Sequence, residues 1–414
     1  MKTFFGPSRE MAARRIREGG HRIYDPREKF ALGLFDLLLR GAAPVMGLRS
    51  PVRNRPAISR VRRILALRLD RLGDLVMTLP ALAMLRELAM NAEIELAVGS
   101  WNKELAHRLT FIDDVRIVDA PWAAWGQKAS WSNAVRAIKE GARPDLVIDF
   151  QGDVRAILLM AMTGAPLRAG FGDTGGAHLL THQGRWDESR SWYRQNMDLL
   201  EALFPGAAIP ELIEPFNFLI SEDRERGRKL IAETRLSDSR RPWIGIHPSA
   251  GRAIKQWEVE KFAALCDRLA EATAGTILLT GGPSDRDLVE QVASRTKGES
   301  LQMIGGAGVR DFAAVVEGLD LFVTGDTGPM HIAHAVGATN LAIFGPSDPV
   351  RYGPEGQSDN RMVVRKALYC SPCNMIRKPP QECVSAKAPE CLERISLDQV
   401  LKASLGLLEK TANV

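Results

Sequence analysis

Five short segments of this 414-residue chain set charged, hydroxyl and glycine residues directly after runs of apolar ones. In RLDRLGDLVMTLPAL, residues 68–82, Asp74 follows Gly73 where an apolar run gives way to a helical pattern. A carboxylate at that point has two uses. It can accept from backbone N–H groups and cap the helix, or it can stand in a cleft and take a proton as a general base. Position alone does not choose between them. Gly73 allows a tight turn or a close approach of ligand to backbone.

The other four segments suit a phosphorylated ligand. LFVTGDTGPMHIAHAVG, residues 321–337, runs from a strand into Gly325-Asp326-Thr327-Gly328, with Pro329 fitting the first helical position. A helix start offers unpaired N–H donors and the positive end of the dipole, which suits a phosphate. His331 falls in the first turn, within reach of such a group. His334 suits packing, and a spacing of three is not that of a zinc helix. IGIHPSAGRAIKQW, residues 244–257, gathers Ser249, Gly251, Arg252 and Lys255 in one loop. Cations among small residues fit a diphosphate; a solvated surface loop is the alternative. TGGPSDRD, residues 280–287, opens with Gly281-Gly282, and its Asp285 can accept from ribose hydroxyls. Asp287 reads as a dipole complement at a helix start rather than half of a metal-binding pair. FGPSDPVRYGP, residues 344–354, is a fifth such loop.

Cysteine adds one further cluster. Cys370, Cys373, Cys383 and Cys391 are spaced C-x2-C-x9-C-x7-C. Four thiolates can hold a structural zinc. The second half lacks a close pair, which favours reduced or partly paired loop thiols. Cys266 has apolar neighbours and reads as core.

The elements that must position these loops alternate in type. Apolar runs at Ile64–Leu69, Ile94–Val98, Val115–Val118 and Leu146–Phe150 read as buried strands, with helices Leu75–Leu88, Trp131–Glu140 and Val154–Met162 between them. A second array has strands Trp243–His247, Thr276–Thr280, Leu301–Ile304, Leu321–Thr324 and Leu341–Phe344. Its helices are Val259–Glu271, Asp285–Arg295, Asp311–Glu317 and Pro329–Ala335. Such alternation predicts an α/β architecture of two doubly wound parallel sheets facing a cleft, with ligands beyond the strand carboxyl ends. The domains are expected at 61–215 and 216–414, after a basic N-terminal arm and linker over 1–60.

Composition narrows the class. Hydrophobic residues are 45% and charged residues 25%, ordinary globular usage that excludes disordered and collagen-like chains. Five Cys exclude a disulfide-dense secreted module. No apolar stretch is long enough to span a bilayer, and the N-terminus lacks the apolar core of a signal peptide, so a cytoplasmic protein is the default. Residues 1–63 carry a net charge of +10, and the remaining 351 carry −5. Basicity confined to one end argues against a nucleic-acid channel and for an arm facing an anionic surface. Within it the run Phe30–Leu39, FALGLFDLLL, is interrupted by Asp36 and followed by Arg40. It either lies in a bilayer interface or docks on its own protein through Phe30, Leu34 and Leu38.

RILALRLDRLGDLVMTLPAL, DLVIDFQG, GIHPSAGRAIKQW, TGGPSDRD, GDTGPMHIAHAVG and IFGPSDPVRYGP follow one another in order. In this the chain resembles the bacterial heptosyltransferases, family 9 of the glycosyltransferases, from about residue 61 to residue 405. The resemblance implies a GT-B fold with the acceptor on the N-terminal domain and the nucleotide sugar on the C-terminal one. It implies inverting, metal-independent transfer needing no cofactor, from ADP-heptose to a glycolipid acceptor of the lipid A–core type. Such an acceptor, with the basic arm, places the enzyme at the inner face of the inner membrane. Asp74 matches the family's catalytic aspartate, with Gly73, Arg71 and Gln151 on the acceptor side. Lys255, two before Trp257, matches a phosphate-contacting lysine. Thr327, Gly328, Pro329, Met330 and His331 match the phosphate turn, while Gly281, Gly282, Asp285 and Asp326 fall to the nucleotide. The chain departs from the pattern in having Asp285 where Glu is usual, and Asp70-Arg71-Leu72 where Ser-Ser is usual, which opens the identity of the acceptor. The arm inherits no role. Two other functions compete: the same fold with another nucleotide sugar or a protein acceptor, and a non-catalytic nucleotide-sugar-binding partner of an envelope complex.

Overall fold

Twelve strands in two sheets set the positions of these loops in the structure, a computed structural model that describes residues 26–45, 58–123, 128–187, 189–355, 359–368, 370–373, 383 and 389–412. The chain divides after Ile213, into His21–Ile213 and Glu214–Val414.

In the first unit, β1 (Arg63–Arg68), β2 (Glu93–Val98), β3 (Asp114–Ile117), β4 (Leu146–Asp149), β5 (Leu167–Gly170) and β6 (His182–Gln183) form a sheet in the order β3-β2-β1-β4-β5-β6. Every pairing is parallel. Every residue of β1 after Arg63 is buried, as a parallel strand covered on both faces requires. Local chemistry starts the covering helices: Asp153 accepts from Arg155 N–H (2.8 Å) ahead of Val154–Met162, and Ser191 accepts from Arg194 N–H (3.1 Å) ahead of Trp192–Leu203.

In the second unit, β7 (Trp243–His247), β8 (Thr276–Gly281), β9 (Leu301–Ile304), β10 (Leu321–Gly325), β11 (Asn340–Phe344) and β12 (Arg361–Arg365) repeat the same order, β12-β11-β10-β7-β8-β9, again all parallel. Ile244, Ile246, Leu279, Val323 and Ile343 from the strands pack with Phe262, Leu269 and Leu407 from the helices. Trp257 sits edge-on to Phe262 at 5.0 Å between ring centres, and its Nε1–H donates to Ile395 O (3.3 Å). In each sheet the strand order reverses between the first and fourth strands, β1/β4 and β7/β10. Beyond the carboxyl ends of such a pair a doubly wound fold binds its ligands.

The structure departs from the sequence expectations in several places. The helix expected over 75–88 is two, Leu72–Val76 and Leu79–Leu88, because Pro80 fits only the first turn of a helix. Strands β5, β6 and β12 and the helices Trp192–Leu203, Ser221–Glu233 and Leu397–Ala412 were not anticipated. β6 has two residues, and β5 contains Arg168, a buried cation whose Nε–H donates to Leu179 O (2.6 Å). Residues 26–43 realise the docking alternative, though through other side chains than those expected. The helix Pro26–Ala42 packs in the first unit, where Leu32, Leu39 and Ala43 join a cluster with Ile157, Leu158 and Leu179. The docking side chains differ from those expected, since Phe30, Leu34 and Leu38 are exposed. The rest of the arm, residues 1–25, and most of the expected linker over 49–60 lie outside the described residues. No described helix is long and apolar enough to cross a membrane.

Candidate functional site

Two polar clusters stand at the two points of strand-order reversal. In the first unit, Asp74 lies in the first turn of Leu72–Val76. Its Oδ2 accepts from Arg71 N–H (3.3 Å), so the capping use foreseen for it is realised. The carboxylate is not consumed by this contact. The side chain keeps 20% of its surface exposed, and its Oδ1 lies 3.5 Å from Nη2 of Arg68. Gly73 has its place inside the helix rather than in a left-handed turn, and the helix begins two residues before Asp74.

Arg68 is the residue that sequence reasoning missed. It is fully buried at the end of β1. Its Nε–H reaches Asp74 O (3.1 Å) and Asp70 Oδ1 (3.1 Å), and its Nη1–H donates to Phe150 O beyond β4. Its guanidinium also lies 5.0 Å from the ring centre of Trp192. One cation therefore ties the loop after β1 to the loop after β4 and sets the Asp74 backbone and carboxylate together. An arginine closing an apolar strand reads as surface; the signal available was its place among RLDRLGD. Asp70 is held in turn through its carbonyl, which accepts from Trp101 Nε1–H (2.6 Å) and Asn102 Nδ2–H (3.1 Å). Gln151 sits half-buried after β4, its backbone N–H donating to buried Asp149 Oδ1 (3.1 Å). Arg71 is exposed.

In the second unit the loop after β7 meets the loop after β10. Lys255 Nζ lies 2.6 Å from Asp326 Oδ2, both side chains largely buried. Thr327 stands at the N-cap position of the helix Gly328–Ala335 without a capping bond from its side chain, Pro329 is in the first turn, and the Thr324 and Thr327 hydroxyls are 3.3 Å apart. Thr327, Gly328 and Pro329 are half-buried, whereas Met330 and His331 are buried. The Met330 side chain packs with Ala342 and Phe344, and its backbone N–H donates to Thr327 O (3.2 Å). His334 faces Arg361, whose Nη1 lies 2.7 Å from its Nδ1. Burial first, then the Arg361 charge, depress its pKa to about 2.

The loop after β8 joins this group. Asp285 accepts from Ser249 Oγ–H (2.8 Å) and from Gly282 N–H (2.9 Å), linking the β7 and β8 loops. A Cβ at Gly281 would meet Val289 at 2.7 Å, so the close packing of this turn requires glycine. Beneath it, His247 Nδ1 is 3.1 Å from Thr280 Oγ1, and burial lowers the His247 pKa to about 4 despite the Asp285 charge. Nucleotide-sugar chemistry could use the whole set: a cation and a helix start for a diphosphate, a carboxylate and hydroxyl for a ribose.

Cys370, Cys373, Cys383 and Cys391 come together around one small cavity, with Ile254, Pro346, Ser371 and Pro389. None of the four forms a disulfide. Burial first, then the other three thiols, push Cys391 up to about 12. Among the described residues no group of three or more His, Cys, Asp and Glu is arranged to hold a metal ion. Cys266 is buried in the core, as expected.

Comparison with known proteins identifies the family and the fold. Residues 134–383 match the model of glycosyltransferase family 9 (heptosyltransferase); the Asp74 loop precedes the matched segment. The lipopolysaccharide core heptosyltransferase OpsX of Haemophilus influenzae is 22% identical over 72% of this chain and 83% of its own. Two solved structures share the fold. The glycosyltransferase family 9 protein of Veillonella parvula superimposes with a TM-score of 0.71 at 24% identity, covering 84% of this chain and 98% of that one. The Escherichia coli ADP-heptose lipopolysaccharide heptosyltransferase II gives 0.66 at 18% identity, covering 84% and 99%.

Proposed function

The chain belongs to glycosyltransferase family 9, and from that premise we propose that it moves a heptose from ADP-heptose to the inner core of lipopolysaccharide, or to a related envelope glycolipid, with inversion at the anomeric carbon. The reading rests on one observation above all. Asp74 is a partly exposed carboxylate anchored by a buried cation at the reversal point of its sheet, where the fold places ligands. Its relatives supply the sugar class: OpsX is named for the lipopolysaccharide core, and the Escherichia coli structure for ADP-heptose.

The chemistry follows from the groups present. Asp74 takes the proton of the acceptor hydroxyl, and the resulting oxygen attacks the anomeric carbon. The bond from that carbon to the diphosphate oxygen breaks, and ADP departs with its electron pair. One base and no carboxylate nucleophile is the arrangement that inverts, by analogy with inverting glycoside hydrolysis. Lys255 and the Thr327–Gly328 turn neutralise charge on the leaving diphosphate, so the transfer proceeds without a bound metal. Asp285 and Ser249 receive the ribose. The enzyme works on the inner face of the inner membrane, where a lipid-linked acceptor is held.

Thermal shift with ADP, UDP and GDP, followed by turnover with the preferred sugar nucleotide, tests the donor. Stabilisation by ADP alone and inverted product from ADP-heptose are expected. A preference for UDP or GDP would overturn the assignment.

A further inference from the structure

The helix Pro26–Ala42 carries two apolar stripes on opposite sides. Leu32, Asp36, Leu39 and Ala43 are buried and recur at the spacing of one helical face. Phe30, Leu34, Leu37 and Leu38 recur at i, i+4, i+7 and i+8 on the other face, and they are 75%, 48%, 65% and 64% exposed. The buried stripe fixes the helix to its unit through a polar lock. Asp36 Oδ1 accepts from Gly176 N–H (2.6 Å), and its Oδ2 pairs with Arg40 Nε at 2.9 Å. Gly175, at φ +120°, leaves room for that carboxylate; a Cβ there would stand 3.1 Å from Asp36 Cβ. The docked face explains Asp36. It does not explain four large apolar side chains turned to solvent.

We propose that this outer stripe is a membrane-docking face whose partner is the surface of an anionic phospholipid bilayer. Charge decides among occupants. Residues 1–63 carry +10 against −5 for the rest, and Arg40, Arg60, Arg62 and Arg63 are exposed. A second copy of the chain would bring the same positive charge against itself, whereas acidic head groups complement it. Phe30, Leu34, Leu37 and Leu38 then enter the interface between head groups and acyl chains, which contributes a salt-insensitive part. The lock at Asp36 orients the whole first unit toward the bilayer. The inference deepens the proposed glycolipid acceptor, and it rests on that reading only for its usefulness, not for its geometry.

Sedimentation of the full chain with vesicles of phosphatidylethanolamine and phosphatidylglycerol, and with phosphatidylcholine alone, tests it. The wild type is expected to bind the anionic vesicles, weaken in high salt, and retain a residual salt-resistant fraction. Leu37→Glu with Leu38→Glu should weaken binding by about a hundredfold and leave the melting temperature and turnover on a lipid-free acceptor fragment unchanged. Equal binding by wild type and variant, or none by either, would overturn the proposal. So would a wild-type dimer abolished by the same substitutions. If the wild type binds vesicles yet fails to use any ADP-sugar, the donor assignment falls and the docking face stands.

Discussion

Lys255 and Asp326 close a 2.6 Å ion pair between the loops after β7 and β10, at the point where the second sheet reverses its strand order. Arg68 does the equivalent in the first sheet, joining the loops after β1 and β4. Both reversal points are thus bridged by one cation. The two bridges serve different ends. Arg68 is fully buried and holds a carboxylate in place, whereas Lys255 keeps some exposure, as the diphosphate contact proposed for it requires.

The ion pair makes Lys255 and Asp326 thermodynamically inseparable. Removing one partner leaves the other charge largely buried and unpaired, which costs about 3 kcal/mol. Lys255→Ala and Asp326→Ala should each lower stability, and the double variant should lose less than the two added together. Urea titration of all four proteins measures the coupling; simple additivity would show that the pair is not formed in solution.

Lys255→Ala should also weaken ADP binding by about 1.5–3 kcal/mol while sparing adenosine. Calorimetry with both ligands separates the charged diphosphate from the nucleoside. Equal losses would mean that Lys255 does not face the phosphates. ADP affinity should survive EDTA, and a strict requirement for Mg²⁺ would sink the metal-independent mechanism.

Asp74→Asn should reduce turnover by about 10²–10⁴ with donor affinity near normal, because the proposed base is lost and the groups proposed for the nucleotide are untouched. In the proposed mechanism Arg68 positions Asp74 for the same step. Arg68→Met should lower kcat with a smaller change in donor affinity, and Arg68→Lys should restore part of it, which a purely structural defect would not do. Single-turnover kinetics with ADP-heptose gives the comparison; full activity of Asp74→Asn would remove it from the mechanism.

Much of this arrangement was legible in the chain, and the reasons are physical. Parallel strands buried on both faces read as short apolar runs, so Trp243–His247 and Leu301–Ile304 were found to the residue. The loops after them stood out because glycine, aspartate and lysine have no other business at the end of such runs. Buried charge was not legible. Arg68, Asp36 and Arg168 look like surface residues until the partners that satisfy them, Phe150 O, Gly176 N–H and Leu179 O, are brought near by the fold. The helix Pro26–Ala42 was read as one apolar run, though only its 3.6-residue period separates docked from exposed positions.

Acid should destabilise the second unit well above the range of ordinary carboxylates. His247 and His334 are held neutral, at pKa values of about 4 and about 2, by burial. An unfolded histidine binds its proton near pH 6.5. Below that value the unfolded chain carries protons that the folded chain does not, so each histidine loses about 1.4 kcal/mol per pH unit as pH falls. The stability is fully present above pH 6.5 and drains down to about pH 4 for His247 and further for His334. Asp223 adds a later loss. Burial raises its pKa, but bonds from Arg310, Ile220 N–H and Arg226 outweigh that and bring it to about 2, so its contribution fades only below 3.8. Urea midpoints measured from neutral pH downward should fall with a slope that His247→Gln reduces. A flat profile across this window would show that both rings are protonated in the folded state.

The thiols should divide into two reactivity classes. Burial holds Cys266 and Cys391 at about 12, and the neighbouring thiols Cys373, Cys383 and Cys370 push Cys391 in the same direction. Only the thiolate is alkylated, and a free cysteine ionises near 8.5. That elevation leaves each with roughly a thousandth of the thiolate of a free cysteine in mildly alkaline buffer. Cys373 and Cys383 are half-buried at the same cavity. Iodoacetamide on the native protein, read by peptide mass spectrometry, should therefore modify Cys373 and Cys383 well ahead of Cys266 and Cys391. Denaturant should erase the difference. Because Ile254, next to Lys255, lines the same cavity, alkyl groups on Cys373 and Cys383 should also weaken ADP binding, with Cys→Ser variants of both protected from that loss. Labelling of Cys391 in step with Cys373 would mean that the cavity opens to solvent and that burial does not set its reactivity.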